Sequence, residues 1–212
     1  MTTPYLPQTM SDVVIDLSHW EAPVDFAQIN ASGIAAVILK ATQGTGFVDP
    51  TFAARAVAAN AAGLLVGAYH FFDTSDPTAQ AGYFLATVAR TGVPMLMALD
   101  FEPSATSQTI ESNAAVFLPT VKSTVGAWPV PYTGRWDVAP AQPGFQQCAL
   151  WLAEYGSSPV CPPGWSEWKL WQHTDGQIGS GVVPVSGVGR CDRERFAGTT
   201  FDLAQWWHNP TP

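Results

Sequence analysis

Apolar residues fall in short runs, and longer stretches of helical character separate the runs. VVIDLS (13–18) predicts a strand, followed by a short helix near DFAQINASG (25–33). AAVILKATQG (35–44) predicts a second strand and its loop. The Ala-rich TFAARAVAANAAG (51–63) is helical and stops at Gly63. LLVGAYHFFD (64–73) is a third strand. The helix over 76–92 has Asp76 as N-cap, Pro77 in its first turn and Gly92 at its end. MLMALDFE (95–102) is a fourth strand. Residues 107–126 are helical, with Pro119 expected to bend or break the helix. VPYTG (130–134) starts a fifth strand.

Past that point the rhythm changes. ALWLAEYG (149–156) and EWKLWQHTDG (167–176) predict strands separated by SSPVCPPGWS, and VVPVSGVGRCD (182–192) a final extended piece. Strands alternating with helices imply a parallel sheet with right-handed crossovers. Continuous apolar strand cores imply burial on both faces. About eight strand candidates fit a closed barrel whose last part has lost its helices, with a doubly wound open sheet as the competing fold. Residues 1–11 read as a flexible N-terminal segment and 208–212 as a C-terminal tail.

Composition narrows the function. The chain has 212 residues, suited to one domain, with 47% hydrophobic and 12% charged residues. A net charge of −8 with only 9 Lys+Arg excludes a phosphate-binding basic face, hence nucleic acid, and charge-driven docking on anionic lipid. No run is long and apolar enough for membrane insertion. MTTPYLPQTMSD lacks the basic start and apolar core of a cleaved signal peptide. The three Cys, at 148, 161 and 191, match no zinc pattern, and a Cys148–Cys161 bridge stays open. Four scattered His without H-E-x-x-H argue against a metal site. Ser18 lacks a nucleophile elbow. Nine Trp are many for this length; a Trp-rich core accounts for most of them, and surplus Trp suits a cleft that stacks flat ligands such as sugars.

The chemistry concentrates in ALDFEP. Strand alternation points Asp100 and Glu102 the same way and Phe101 the opposite way. At the C-terminal end of a barrel strand, that face opens on the mouth. Two acids in one low-dielectric mouth cannot both ionise freely, so one is pushed up in pKa and serves as an acid. Other predicted strand ends supply Asp16, Lys40, Thr42, Tyr69, His70, Tyr132, Thr133, Trp151, Glu154, Gln172 and Asp192. Asp16, Asp100, Glu102 and Asp192 are therefore expected round one opening with aromatic walls, a composition suited to neutral sugars. Flanking Arg190, Arg193 and Arg195 leave a structural ion pair open for Asp192.

VVIDLSHW, AAVILKATQG, AAGLLVGAYHF, ALDFEP, YTG, LW, KLWQHT and CDRERF follow one another in an order that resembles glycoside hydrolase family 25, the Chalaropsis-type lysozymes or N-acetylmuramidases. The likeness covers about residues 12–206. It implies a modified TIM-like barrel, (β/α)5(β)3, as a single catalytic domain over 12–207. It further implies hydrolysis of the β-1,4 bond between N-acetylmuramic acid and N-acetylglucosamine in peptidoglycan glycan strands, with no metal or organic cofactor. Carried over by position, Glu102 matches the proton donor, and Asp100 the acid that steadies the substrate's acetamido group. Asp16 and Asp192 match two further cleft acids. Tyr69, Tyr132, Trp151 and Gln172 fall where the sugar groove is lined, and Lys40 follows the second strand. The implied setting is a monomeric phage endolysin, made in the host cytoplasm and acting on the cell wall after holin-type release or from outside. A non-catalytic wall-binding module and another barrel glycosidase such as a chitinase are the alternatives.

Overall fold

The computed structural model describes residues 4–103, 108–138 and 144–212. Nine strands form one sheet: β1 (Ser11–Leu17), β2 (Ala36–Gln43), β3 (Phe47–Val48), β4 (Leu65–Phe71), β5 (Leu96–Asp100), β6 (Val130–Gly134), β7 (Trp151–Ala153), β8 (Leu170–Thr174) and β9 (Asp192–Phe196). Strand β1 pairs with both β2 and β9, which closes eight of them into a barrel and rules out the open sheet. Strand β3 only folds back on β2 as a hairpin. All barrel pairings from β1 round to β8 are parallel, whereas β9 runs antiparallel to both its neighbours.

The helices are α1 (Phe26–Ala31), α2 (Phe52–Ala61), α3 (Pro77–Ala89), α4 (Gln108–Val125) and α5 (Thr200–Trp206). The first four serve the crossovers between β1 and β6. The fifth crossover, from β6 to β7, carries among the described residues only a 3-10 turn at Phe145–Gln147. The helical half of the barrel is thus α/β, and the last strands follow one another through loops. Asp76 caps α3 by accepting from the Ala79 N–H, with Pro77 in the first turn. Helix α4 runs on through Pro119, whose ring lies on the solvent face, so the expected break does not occur. Helix α5 is an addition to the expected elements. Thr199 and Asp202 form a capping box at its start.

Alternation along the strands makes two cores. Outward-facing Ile15, Leu17, Val37, Leu39, Leu99 and Phe101 pack against Phe52, Phe84 and Phe117 of the helices. Fully burying each such side chain contributes about 1.5–3 kcal/mol relative to exposure. Inward-facing Val14, Ala36, Ile38, Leu96, Ala98, Val130 and Leu170 fill the barrel. Trp207 belongs to this inner cluster, and its Nε1–H donates to the Val66 carbonyl at 2.9 Å. A Cβ at Gly67 would come within 3.2 Å of both Ile38 and Trp207, so the crowded interior favours glycine there. His70 belongs to the outer layer: it lies fully buried between Thr42 Oγ1 (2.7 Å) and Gln80 Oε1 (3.0 Å) and stacks on Phe117 at 5.1 Å. The sequence had placed it near the mouth; strand alternation turns it away, because Tyr69 takes the inward position. Near the N-terminus, Tyr5 accepts at its carbonyl from Trp168 Nε1–H and packs edge-on against that ring. The three Cys are buried and free, so no Cys148–Cys161 bridge forms. No helix among the described residues is long and apolar enough to cross a membrane.

Candidate active site

An open pocket of about 520 Å³ lies at the C-terminal ends of the parallel strands. It is lined by Asp16, Tyr69, Asp100, Glu102, Tyr132, Trp151, Tyr155, Gln172 and Asp192. A second depression shares Glu102, Tyr132 and Tyr155 with it and extends the cleft past Gly134, Asp137 and Ala153. Of the predicted strand-end residues, Asp16, Tyr69, Asp100, Glu102, Tyr132, Trp151, Gln172 and Asp192 therefore reach one cavity, of a size ordinary for small-molecule sites, whereas Lys40, Thr42, His70, Thr133 and Glu154 are not in its lining.

Strand β5 delivers two acids. Leu96 and Ala98 point inward below Asp100, while Leu99 and Phe101 point out to the helix layer. Phe101 is clamped edge-on by Phe145 at 5.3 Å, which anchors the chain where it leaves the sheet. Asp100 is 8% exposed, whereas Glu102 is exposed at the rim. Burial pushes the Asp100 carboxyl well above its usual range, and the neighbouring Glu102 and Asp16 add to the rise. Glu102 is also raised, first by desolvation and then by Asp137. The two carboxyls act on each other in opposite directions, raising Asp100 and lowering Glu102, the signs expected of Asp100 as the donor of the pair. Asp100 Oδ1 has no partner among the described residues.

Asp16 and Asp192 face each other across the β1–β9 pairing. The sequence placed Asp192 at the end of an extended piece, but it opens β9. Because β9 runs antiparallel, its first residue sits at the same end as the last residues of the others. Desolvation pushes Asp16 to about 6 and Asp192 to about 9, each also raised by carboxylates beside it. Gln172 Nε2–H donates to Asp16 Oδ2 at 2.7 Å, and Tyr132 O–H donates to Gln172 Oε1 at 2.7 Å. That chain spans β6, β8 and β1. Tyr132 packs edge-on against Trp151 at 4.7 Å, and the Trp151 Nε1–H is buried without a partner among the described residues. Tyr69 is held well above its ordinary pKa by burial and by Asp16 and Asp100.

Lys40 stands beside the pocket rather than in its lining. Its ammonium lies 4.9 Å from the Phe71 ring and 5.9 Å from those of Phe47 and Tyr69, and donates to Gln43 Oε1 at 3.2 Å. It makes no ion pair with a cleft acid, but its charge lowers both Asp100 and Glu102. Arg193 and Arg195 point away from the cleft: Arg193 pairs with Asp12 at 2.9 Å, and Arg195 lies over Trp171 at 5.0 Å. Among the described residues no arginine, Arg190 included, forms an ion pair with Asp192.

Sequence reasoning missed Tyr155, Asp137, Glu21 and Glu194. Asp137 accepts from the Gly134 N–H at 2.8 Å, and a Cβ on Gly134 would fall 2.4 Å from that carboxylate. Glu21 is held by the Ser18 N–H at 2.7 Å, with Arg55 donating to the carbonyls of Ser18 and Glu21. Both follow strand ends, which was the available signal. Trp20 (80% exposed) and Trp136 (76%) crown the same two loops. Among the described residues no group of His, Cys, Asp and Glu is arranged to hold a metal.

A barrel with clustered carboxyls, one exposed and one buried on the same strand, and aromatic walls at its mouth defines the class of barrel glycosidases. The model of glycosyl hydrolases family 25 matches residues 15–182, and the chain belongs to that family. It is therefore a glycoside hydrolase. It is 30% identical over 214 residues to lysozyme M1 of Streptomyces globisporus, covering 89% of this chain and 69% of that one. It is 30% identical over 201 residues to the N,O-diacetylmuramidase of Arthroderma benhamiae, covering 86% and 85%. The bacterial lysozyme structure from Streptomyces coelicolor superposes with a TM-score of 0.78 at 27% identity, covering 93% and 98%.

Proposed function

We propose that this chain is an N-acetylmuramidase that cleaves the β-1,4 bond between N-acetylmuramic acid and N-acetylglucosamine in peptidoglycan. The observation that carries the reading is the β5 pair: Asp100 is buried at the floor and Glu102 exposed at the rim of one cleft, both are raised by burial, and Asp100 Oδ1 has no partner among the described residues. In our reading the pair holds one shared proton. Family membership and the lysozyme and muramidase relatives support it.

The substrate's acetamido N–H supplies the donor that Asp100 Oδ1 lacks. That contact favours ionised Asp100, while the sugar covering Glu102 favours its neutral form. The shared proton moves to Glu102, which then protonates the glycosidic oxygen as the acetamido oxygen attacks the anomeric carbon. The leaving sugar departs with that proton. Ionised Asp100 offsets the positive charge on the cyclised acetamido group. Glu102, now a carboxylate, takes a proton from water as the water opens the ring, and the configuration is retained. Asp16 and Asp192 complete the acidic floor. Tyr69, Tyr132, Trp151 and Gln172 line the sugar path, and Lys40 tunes the acids from its edge. No step needs a metal.

Muropeptide mass spectrometry after digestion identifies the bond: reducing-end N-acetylmuramic acid is expected. Reducing-end N-acetylglucosamine, release from chitin instead of peptidoglycan, or wall binding without turnover would each overturn the reading. NMR of the anomer first released tests retention. A monomer acting on the wall as a phage endolysin is the proposed setting, checked by whether lysis from inside a host requires a co-expressed holin.

A further inference from the structure

A second acid pair lies beneath the cleft, and no step above uses its deeper member. Glu194 sits in the middle of β9, opposite Val14 of β1 and Gln172 of β8. Strand alternation sends Asp192, Glu194 and Phe196 into the barrel. The Glu194 side chain is fully buried, and neither carboxylate oxygen has a partner among the described residues. The groups that raise it are acids, Asp16 and Asp12 from β1 and Asp192 from β9, and the buried Cys191 thiol just before β9 is itself raised by Glu194, so no cation is among them. Strand β8 contributes Gln172, whose amide is already committed to Asp16 and Tyr132. An ionised carboxylate is not stable in such surroundings without a cation. With a proton, the same group has a donor to offer Asp16, its diagonal neighbour on the inward face of the β1–β9 pairing. The two carboxyls act on each other in opposite directions, lowering Asp16 and raising Glu194, as expected when Glu194 is the donor.

We propose that Glu194 is a positioning residue for the glycosidase reaction: as a neutral carboxyl sealed under the cleft floor, it donates to Asp16 and, together with Gln172, fixes that carboxylate's angle toward the sugar. The inference rests on the assignment of Asp16 to the substrate cleft. It deepens that assignment, since two buried donors on one acid leave its remaining lone pairs a single direction, upward into the pocket. An acid kept only as filler would be matched or bettered by leucine, which has similar volume and no desolvation penalty.

The test compares kcat, KM and Tm on peptidoglycan for wild type, Glu194→Gln, Glu194→Leu, Asp16→Asn and the Asp16→Asn/Glu194→Leu double variant. Glu194→Gln keeps a donor for Asp16 and should retain kcat within about threefold. Glu194→Leu removes a donor from buried Asp16 but also a buried carboxyl, so Tm should move by only a few degrees, while kcat falls about tenfold to a hundredfold with KM within about twofold. The double variant should be no slower than Asp16→Asn alone, because the residue acts through Asp16. Wild-type kcat in Glu194→Leu, or additive losses in the double variant, would overturn the proposal. Should Glu194→Leu not fold, infrared difference spectroscopy decides. At neutral pH the wild type should show a protonated-carboxyl stretch that Glu194→Gln lacks, and identical spectra would overturn it. A wild type that leaves peptidoglycan intact refutes the muramidase reading instead, and the infrared result still stands on its own.

Discussion

The cleft contains two acid pairs built in opposite ways. Asp100 and Glu102 come from one strand end, one residue apart, so a single alternation step aims them together. Asp16 and Glu194 are brought together only when β9 closes the barrel against β1. Depth also differs. The β5 pair spans a gradient, with Asp100 buried and Glu102 exposed, so its proton can be moved by whatever covers the rim. The β1–β9 pair is deeper: Glu194 is fully buried, and Asp16 meets solvent only where it lines the pocket, so the Glu194 proton has nowhere else to go. A graded pair suits proton transfer; a sealed pair suits a fixed charge.

The sharpest way to break that contrast is to remove the mobile proton. Glu102→Gln cannot donate to a leaving oxygen and should lower kcat by about 10²–10⁴-fold. Because Glu102 is exposed, Tm should hardly move. Near-normal clearing of cell walls by this variant would end the assignment. Next in size is Asp100→Asn, expected to cost about 10²–10³-fold in kcat through loss of the negative charge facing the acetamido group. A loss confined to KM would mean that Asp100 only binds. Smaller again is Gln172→Leu, which severs Tyr132 from Asp16. It leaves a buried hydroxyl and a buried carboxylate each short of a partner, so about 1–3 kcal/mol of stability should go, read by denaturant titration. Activity should fall less than in the β5 variants.

The same contrast explains what the sequence revealed. A local pair is visible in a local pattern: ALDFEP announces two acids on one face, and their place at a strand end points to a barrel mouth. Asp16, Tyr69, Tyr132 and Gln172 were legible by the same rule. Glu194 was not. CDRERF shows it two residues after Asp192, but the extended piece was expected to end at Asp192, which put Glu194 outside the barrel. The direction of β9 decides the matter, and direction is a property of closure, set by which edge is left for the last strand. Asp192 reached its place although its strand runs the other way. Helix α5 was hidden for a related reason: its short run matters because Trp207, just beyond it, enters the barrel interior. The capping box Thr199–Asp202 was the local signal available.

The mildest test concerns pH, and its sign follows from burial. Asp16 rises from 3.8 to about 6 and Asp192 from 3.8 to about 9, while Asp100 and Glu194 are also raised. For an acid whose folded pKa exceeds its unfolded value, stability is complete below the unfolded pKa and is lost as pH climbs through the folded one. These groups therefore weaken the fold across the interval from about 4 to about 9. Asp12 and Asp49 act in the other direction. The neighbouring His173 (3.4 Å) and Arg193 (2.9 Å) beside Asp12, and hydrogen bonds from Thr51 and His19 to Asp49, hold both below 3.8 despite partial burial, so their contribution fades only under more acidic conditions. Tm should peak between about pH 4 and 6 and fall by several degrees toward pH 9, at about 2–4 °C per kcal/mol for a domain of this size. Asp192→Asn should flatten the fall between pH 6 and 9 and leave Tm at pH 4 unchanged. A Tm that instead climbs from pH 5 to 9 would mean that the cleft acids do not share one low-dielectric site, and the two pairs would lose the burial that sets their roles apart.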